Sequence, residues 1–164
     1  MKTLKKRRKE NRTDYHKRLN LLKGGTPRVV LRKTNRYLIA QYVSSKEAQD
    51  KVEFGITSKK LLNYGWPEDI KGSLKSISAA YLTGLLFGKQ IIKKSKEKSL
   101  IIDFGMMRNL HKTRIYAFLK GLVDSGIHIK YKKDVFPSEE SISGKQMKNE
   151  IDVEAIKSNI QNEK

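Results

Sequence analysis

The alternation of apolar and polar positions predicts three β-strands in the first third of the chain. In residues 28–34, Val29 and Leu31 alternate with Arg28 and Arg32, and in 51–57 Val52, Phe54 and Ile56 share one face. Residues 37–44 are interpreted as another strand. Residues 34–36, between the first two strands, suit a tight turn because Asn35 tolerates a left-handed backbone. The short connections predict that the three strands form an antiparallel meander.

Apolar residues at helical spacing predict two helices around this meander. The short first helix begins at the N-cap residue Thr13, and a long second helix runs from the N-cap Ser73 to Lys93. Gly84 and Gly88 share one face of the long helix, where each glycine costs about 1 kcal/mol relative to alanine. We expect close packing of that face against the sheet to compensate.

The second half of the chain adds further elements. A continuous apolar run at 99–104 predicts a buried strand, and the spacing at 112–124 predicts an amphipathic helix. A weak edge strand is expected at 127–131, and a last helix near 151–160. The predicted order βββαβα describes an α/β fold, with a mixed sheet and helices packed on it.

The length of 164 residues suits one domain with tails. We divide the chain into a basic N-terminal arm at 1–12, a single α/β domain at 13–136 and a C-terminal tail with a helix at 137–164. The arm contains five consecutive basic residues, 5–9, which cannot bury themselves. We expect this run to be disordered until it meets a partner.

The charge of the chain indicates a polyanionic partner. Lys and Arg number 36 against 17 Asp and Glu, which gives a net charge of +19. The first 36 residues alone hold 14 basic and 2 acidic residues. Nucleic acid is the first candidate partner and an anionic membrane surface the second. Small acidic substrates do not require so much charge.

The composition excludes several classes of protein. There is no cysteine, which excludes disulfides, thiol nucleophiles and zinc fingers, and which fits a reducing cytosol. No apolar run approaches the roughly 20 residues of a membrane span, so no membrane-spanning segment is predicted. We predict nucleic acid as the partner and no membrane. The basic N-terminus is not followed by an apolar segment, so it is not a secretory signal.

The sequence gives little support for catalysis. The tripeptide 103–105 spells a kinase motif, but the other kinase motifs are missing. Asp103 could join Asp50, Glu53 and Asp124 in a nuclease-type metal site, although their spacing is not specific for one. We therefore predict no enzyme, no catalytic residue, no metal site and no cofactor.

RNA binding has more support, because cations and aromatic residues are interleaved on the first predicted hairpin. Basic side chains neutralise phosphates, and arginine and tyrosine can stack on bases. The tyrosines could equally be half-buried residues of the sheet. The residues concerned are Arg28, Arg32, Lys33, Arg36, Tyr37 and Tyr42.

A series of motifs resembles the archaeal form of large-subunit ribosomal protein family eighteen, whose eukaryotic counterpart is called large-subunit protein five. Single motifs are weak evidence, but together they are specific, and they follow the family's order from about residue 7 to 147. After 124–127, family members often carry Ile-Pro-His, whereas this chain has Ile-Lys-Tyr-Lys at 129–132. The matching motifs lie at 11–23, 27–30, 32–37, 40–41, 64–66, 79–85, 103–105, 117–121 and 124–127.

The resemblance implies a non-catalytic protein of the cytoplasmic ribosome with a ribonuclease-H-like strand order. It implies binding to 5S rRNA, anchoring of that RNA to the large-subunit rRNA in the central protuberance, and contact with neighbouring ribosomal proteins there. The RNA-binding residues that the resemblance implies are Arg7, Arg8, Arg12, Tyr15, His16, Arg18, Arg28, Arg32, Lys33, Asn35, Arg36 and Gln41. The basic run adds Lys5, Lys6 and Lys9.

Two other functions stay open from the residues alone. One is a nonspecific basic DNA- or RNA-binding protein, although neither a groove-reading helix nor a dimer is evident. The other is a divergent ribonuclease-H-like metal nuclease centred on Asp103.

Overall fold

The computed structural model describes residues 3–95, 100–144 and 151–162. Its centre is a four-stranded sheet in the order β3-β2-β1-β4. The first three strands pair antiparallel, and β4 runs parallel to β1. The mixed α/β sheet and the order βββαβα are therefore confirmed. The strands are β1 (Arg28–Lys33), β2 (Leu38–Lys46), β3 (Gln49–Thr57) and β4 (Ile101–Asp103).

Four of the α-helices follow the predicted order, whereas those at Lys6–Lys9 and Glu139–Ser143 were not predicted. Three short 3₁₀ segments lie at Ser58–Tyr64, Glu68–Ser73 and Lys133–Val135. The α-helices are α1 (Lys6–Lys9), α2 (Tyr15–Lys23), α3 (Ile77–Lys94), α4 (Arg114–Asp124), α5 (Glu139–Ser143) and α6 (Val153–Asn162).

Both predicted N-caps were displaced along the chain. Asp14, not Thr13, caps α2, because its carboxylate accepts the N–H groups of residues 16 and 17. Ser76, not Ser73, caps α3 by accepting the N–H of Ala79. The Ser73 hydroxyl instead donates to the carbonyl of Ile70, within the preceding 3₁₀ segment.

The main core lies between one face of the sheet and α3. This face carries buried apolar residues from β1 and β2, such as Val29, Leu31 and Ala40. Helix α3 is buried continuously from Ser78 to Gly88, because α4 covers the side that the sheet does not. A helix that is apolar nearly all round belongs in the middle of a layered domain.

The expectation that Gly84 and Gly88 pack against the sheet was wrong. A side chain at Gly84 would collide with the backbone of Phe118 in α4, and one at Gly88 would collide with Ser125. Gly121 of α4 lies in the reciprocal position, against the Tyr81 carbonyl. The glycines therefore allow two helix backbones to approach each other closely.

Three details of the predicted strands also differ. Residues 127–131 form no strand, and only His128 takes part in an isolated bridge. Strand β4 is shorter than predicted, with Ile101 and Ile102 half-buried at the sheet edge, and Ser99 falls outside the described residues. Asn35 does not adopt the left-handed backbone that the sequence suggested for the first turn. The Thr34 hydroxyl closes this turn instead, because it donates to the Tyr37 carbonyl and accepts the Tyr37 N–H.

The predicted C-terminal helix is present as α6, and it packs into the core. Its residues Ile156 and Ile160 are buried. The Lys89 ammonium of α3 donates to the carbonyls of Ile160 and Gln161, 3.0 and 2.8 Å away. A cation at the end of α6 satisfies carbonyls that a helix leaves without partners. The C-terminal segment therefore completes the hydrophobic core.

Candidate nucleic-acid interface

Helix α2 lies over the face of the sheet opposite α3. The Lys17 ammonium donates to the Gly105 carbonyl after β4, 3.2 Å away, and Gly24 lies against the Ile101 side chain. Strand alternation directs Arg28 and Arg32 to this side, because Val29 and Leu31 face α3. We call this surface, formed by α1, α2 and the arginines beneath them, the α2 face.

Arg28 forms the floor of the α2 face and is buried. Its guanidinium donates to Asp50 Oδ1 over 2.6 Å and to the Ser45 hydroxyl over 2.9 Å. Arg18 of α2 reaches the other oxygen of Asp50 over 2.7 Å. Burial opposes ionisation of Asp50, but Ser45 and the two arginines hold its pKa below the ordinary value. The carboxylate of Asp50 in β3 therefore links β1, β2 and α2.

Arg32 forms a second ion pair on the α2 face. Its guanidinium donates to Asp103 Oδ2 over 3.0 Å and to the Asp103 carbonyl over 2.9 Å. Burial opposes ionisation of Asp103, but the Gly105 N–H and Arg32 hold its pKa below the ordinary value. The Arg32 side chain is still 43% exposed, so part of the guanidinium faces solvent.

The carboxylates of the nuclease alternative do not converge. Asp124 lies on α4 and accepts a hydrogen bond from the Tyr81 hydroxyl, while Glu53 accepts from Ser44 and pairs with Lys51. Asp103 is committed to Arg32. Across residues 3–95, 100–144 and 151–162, no group of three or more His, Asp or Glu side chains could hold a metal ion. The geometry gives the nuclease hypothesis no support.

The basic arm forms a helical turn beside α2, where the sequence predicted an unfolded run. The Lys5 ammonium lies 4.6 Å from the centre of the Tyr15 ring, and Arg7 Nε donates to the Thr13 hydroxyl. Arg8 pairs with Asp14, whose pKa is lowered chiefly by the N–H of residue 17. All residues of α1 are exposed, so these weak contacts leave its cations accessible to an anion.

The polar end of the β1–β2 hairpin extends beyond the sheet. Lys33, Asn35 and Arg36 are exposed there, and the Lys75 ammonium donates to the Asn35 carbonyl. Gln41 lies half-buried in the middle of β2, opposite Val30. The side chains of Lys33, Asn35 and Arg36 therefore present hydrogen-bond donors to solvent, and Gln41 does so in part.

The two hairpin tyrosines are residues of the sheet. Tyr42 is buried, stacks on Phe54 with ring centroids 5.0 Å apart, and shares a hydrogen bond with Ser95. Tyr37 is half-buried, with the Lys59 ammonium over its ring. Neither ring is an open stacking platform, so the structural interpretation of these tyrosines is the better one.

The structure brings most of the predicted RNA-binding residues to one side of the molecule. A small groove of about 150 Å³ between α1, α2 and the sheet contains six basic side chains and two acidic ones. Arg12 and His16 are exposed, and His16 Nε2 lies 3.2 Å from Asn20 Nδ2. The basic residues that line the groove are Arg7, Arg12, Lys17, Arg18, Arg28 and Arg32.

Sequence reasoning missed two residues of this site. Lys17 was left out because its link to the Gly105 carbonyl spans 88 positions of the chain. Asp50 was considered only as a metal ligand, and nothing local marks it as the partner of Arg18 and Arg28. No sequence signal singles out Asp50, because Glu47 and Glu53 lie close to it in the chain.

Comparison with known proteins decides the family. A family profile described as "Ribosomal large subunit proteins 60S L5, and 50S L18" matches residues 1–101. The chain belongs to this ribosomal protein family. Several curated archaeal relatives, each named large ribosomal subunit protein uL18, are similar over most of the chain.

The similarity to these uL18 proteins is extensive. The protein of Korarchaeum cryptofilum is 42% identical over 142 residues, which cover 87% of this chain and 70% of the relative. That of Methanoregula boonei is 39% identical over 142 residues, covering 87% and 79%. That of Methanothrix thermoacetophila is 36% identical over 151 residues, covering 92% and 86%.

Membership of the uL18 family establishes the general role of the chain. It is a structural component of the large ribosomal subunit of the cytoplasmic ribosome, acts in translation and is not an enzyme. The resemblance drawn from the sequence motifs is thereby confirmed. In the described parts of the chain, no helix has the length and apolar character needed to cross a membrane.

Proposed function

We propose that the chain binds 5S rRNA through its α2 face and helps anchor that RNA to the large-subunit rRNA in the central protuberance. Membership of the uL18 family supports a ribosomal RNA as the partner. The motifs that carry the resemblance supply most of the α2 face, which favours 5S rRNA over other RNAs. Neighbouring ribosomal proteins of the protuberance are further proposed partners.

The observation that carries the proposal is the concentration of exposed or partly exposed cations on α1, on α2 and at the hairpin tip. Lysine and arginine neutralise phosphates and release counterions, which provides sequence-independent affinity. Positions with side-chain donors, such as His16, Asn35 and Gln41, can add contacts to bases or sugars. The α2 face and the hairpin tip therefore offer both kinds of contact.

We assign different tasks to the predicted RNA-binding residues according to their exposure. Arg28 is buried against Asp50, so it positions α2 and touches no RNA. Arg18 and Arg32 divide their donors between a carboxylate and solvent. The direct contacts fall to the exposed or partly exposed residues Lys5, Lys6, Arg7, Arg8, Lys9, Arg12, Tyr15, His16, Lys33, Asn35, Arg36 and Gln41.

A competition assay at about physiological salt tests the proposal. Labelled 5S rRNA bound to the full chain is displaced with unlabelled 5S rRNA, transfer RNA or duplex DNA of similar charge. We expect 5S rRNA to compete at much lower concentration than the other two. Equal competition by all three would support the alternative of a nonspecific basic nucleic-acid-binding protein, because a charge of +19 attracts any polyanion.

A further inference from the structure

A second candidate site lies on the α3 face of the sheet, away from the α2 face. It is a pocket of about 790 Å³ at the point where α3 and α4 both begin. The N-cap residues of the two helices, Ser76 and Thr113, both lie in its wall. No side chain caps α4, since the Thr113 hydroxyl donates to the Leu110 carbonyl instead. Two positive helix ends therefore meet at one cavity.

The side chains around the pocket reinforce this positive potential. Lys33 reaches it from the end of β1, Arg108 and Lys112 from the loop after β4, and Arg114 from the first turn of α4. Among the described residues, no Asp or Glu lines the pocket, and none of the four cations forms an ion pair. Four unpaired cations around one cavity repel each other unless an anion joins them.

Ser78 gives an independent indication that the pocket binds a ligand. It lies in the first turn of α3, in the wall of the same pocket, and is 1% exposed. Its hydroxyl is the buried side-chain group that has no hydrogen-bond partner anywhere in the described structure. Buried hydroxyls are nearly always paired, so an unpaired one in the wall of a cavity indicates a position where a ligand binds. A ligand in the pocket, or a water bound to it, would supply that partner.

The remaining wall of the pocket is apolar. Ile77, Met107, Leu110 and Ile115 contribute to it, and Leu110 is 58% exposed. A cavity of this size holds a small organic group, and methionine adapts well to a flat ring. The combination of cationic rim and apolar wall matches a nucleotide, with its phosphate at the helix ends and its base against the apolar side chains.

We propose that this pocket binds one unstacked nucleotide of a single-stranded RNA segment. The proposal rests on the proposed function, because an RNA-bound protein meets such nucleotides in loops and bulges. The chain would then hold RNA on both sides of its sheet, with Arg32 on the α2 face and Lys33 at the pocket. A free nucleotide offers the same chemistry, so the test must separate the two sources.

An NMR titration that follows the backbone amide chemical shifts of the full chain provides the test. A single-stranded tetraadenylate and adenosine 5′-monophosphate are the separate probes. We expect the tetraadenylate to shift the amides of Ile77, Ser78 and Ile115 in a saturable way and at lower concentration than the mononucleotide. Arg108→Ala combined with Arg114→Ala should weaken this binding about tenfold or more, because two charged contacts are lost. Lys60→Ala combined with Lys130→Ala removes the same charge elsewhere and should change it much less.

Ser78→Ala provides a second variant that keeps the charge. Because the hydroxyl is unpaired in the free protein, its removal should leave the thermal unfolding temperature unchanged or raise it. Binding of the tetraadenylate should nevertheless weaken several-fold, since the bound state loses a hydrogen bond. An unchanged affinity together with unchanged stability would remove Ser78 from the site.

Each result of the titration has one meaning. Equal affinities for the two probes would overturn the assignment to RNA in favour of a free nucleotide. Shifts confined to α1, α2 and the hairpin would overturn the pocket while leaving the proposed function intact. Shifts in the pocket, together with failure of 5S rRNA to outcompete transfer RNA, would overturn the proposed function and leave the pocket standing.

Discussion

The buried guanidinium of Arg28 donates a 2.6 Å hydrogen bond to Asp50, and Arg18 holds the other oxygen of the same carboxylate. Asp50 therefore neutralises a charge that the sheet has taken out of water, and it ties α2 to the strands beneath. A buried charge without its partner is strongly destabilising, whereas replacement of the charge itself by an apolar group often is not. The two ends of this pair should respond differently to mutation.

Asp50→Ala should destabilise the chain much more than Arg28→Met. The first change leaves Arg28 buried with only Ser45 as a partner, and we expect a loss of about 3 kcal/mol in the free energy of unfolding. The second change removes the buried charge and leaves Asp50 beside Arg18, with an expected loss of about 1 kcal/mol. Urea unfolding measures both, with the exposed substitution Asp69→Ala as control.

The same variants decide how Arg28 acts in RNA binding. Arg18 still holds Asp50 in Arg28→Met, so if Arg28 touches no RNA the folded variant should bind 5S rRNA nearly as well as the parent chain. A loss of more than tenfold in affinity with an intact fold would show that Arg28 touches RNA directly. Adding Asp50→Ala to Arg28→Met should cost less than the sum of the single changes, because the pair is coupled.

Gly84→Ala and Gly121→Ala should each destabilise the chain, against the usual benefit of alanine in a helix. The added methyl group would overlap the Phe118 carbonyl in one case and the Tyr81 carbonyl in the other. Overpacking against backbone costs about 1–3 kcal/mol, which exceeds the gain of about 1 kcal/mol in helix propensity. A fall in melting temperature of a few degrees is expected by calorimetry. Gly72→Ala, which meets no atom within 4 Å, should leave it unchanged.

The stability of the chain should fall in acid through Asp103 and Asp50. Both carboxyls have folded-state pKa values below the ordinary 3.8. Their stabilisation is therefore complete above about pH 5 and is lost as the pH falls through the folded pKa values. Urea unfolding between pH 3 and pH 7 should show this decline, and Asp103→Asn should make it shallower. Asp69→Asn is the matched control, and an equal effect of the two variants would contradict the assignment.

The layered fold could be predicted from the sequence because it depends on local patterns. Alternation marked the strands, helical spacing marked α3 and α4, and short connections implied the meander. The N-cap predictions were wrong because two nearby residues can each cap the same helix. Thr13 and Asp14 can both cap a helix, as can Ser73 and Ser76, and the path of the preceding chain decides between them.

The site was less predictable, because its partners lie far apart in the chain. Arg28 looked like one more exposed cation of the hairpin, yet it pairs with Asp50 across 22 positions. The contact of Gly84 with Phe118 spans two helices whose relative placement no spacing rule provides. Sequence reasoning identified which residues carry the positive charge, and the fold determines which of them remain available.

Deleting residues 1–9 should reduce the salt dependence of RNA binding. The deletion removes the basic run Lys5–Lys9, whose side chains are exposed and make only weak contacts with the protein. Each lost phosphate contact should lower the slope of log affinity against log salt by roughly 0.7–0.9. Filter binding at several salt concentrations measures the slope. Replacing the run with glutamine at constant length is the control for chain length, and an unchanged slope would mean that the arm does not touch phosphates.

Arg32→Ala combined with Arg36→Ala should weaken 5S rRNA binding about tenfold or more, since two charged contacts are lost. Arg36 is exposed, but Arg32 also neutralises Asp103, so its loss leaves a carboxylate on the α2 face. Adding Asp103→Asn should therefore recover part of the affinity if repulsion contributes, and none if only the direct contacts matter. Circular dichroism should stay unchanged throughout, and Lys60→Ala with Lys130→Ala controls for net charge. Loss of the circular dichroism signal together with binding would make Arg32 and Arg36 structural residues.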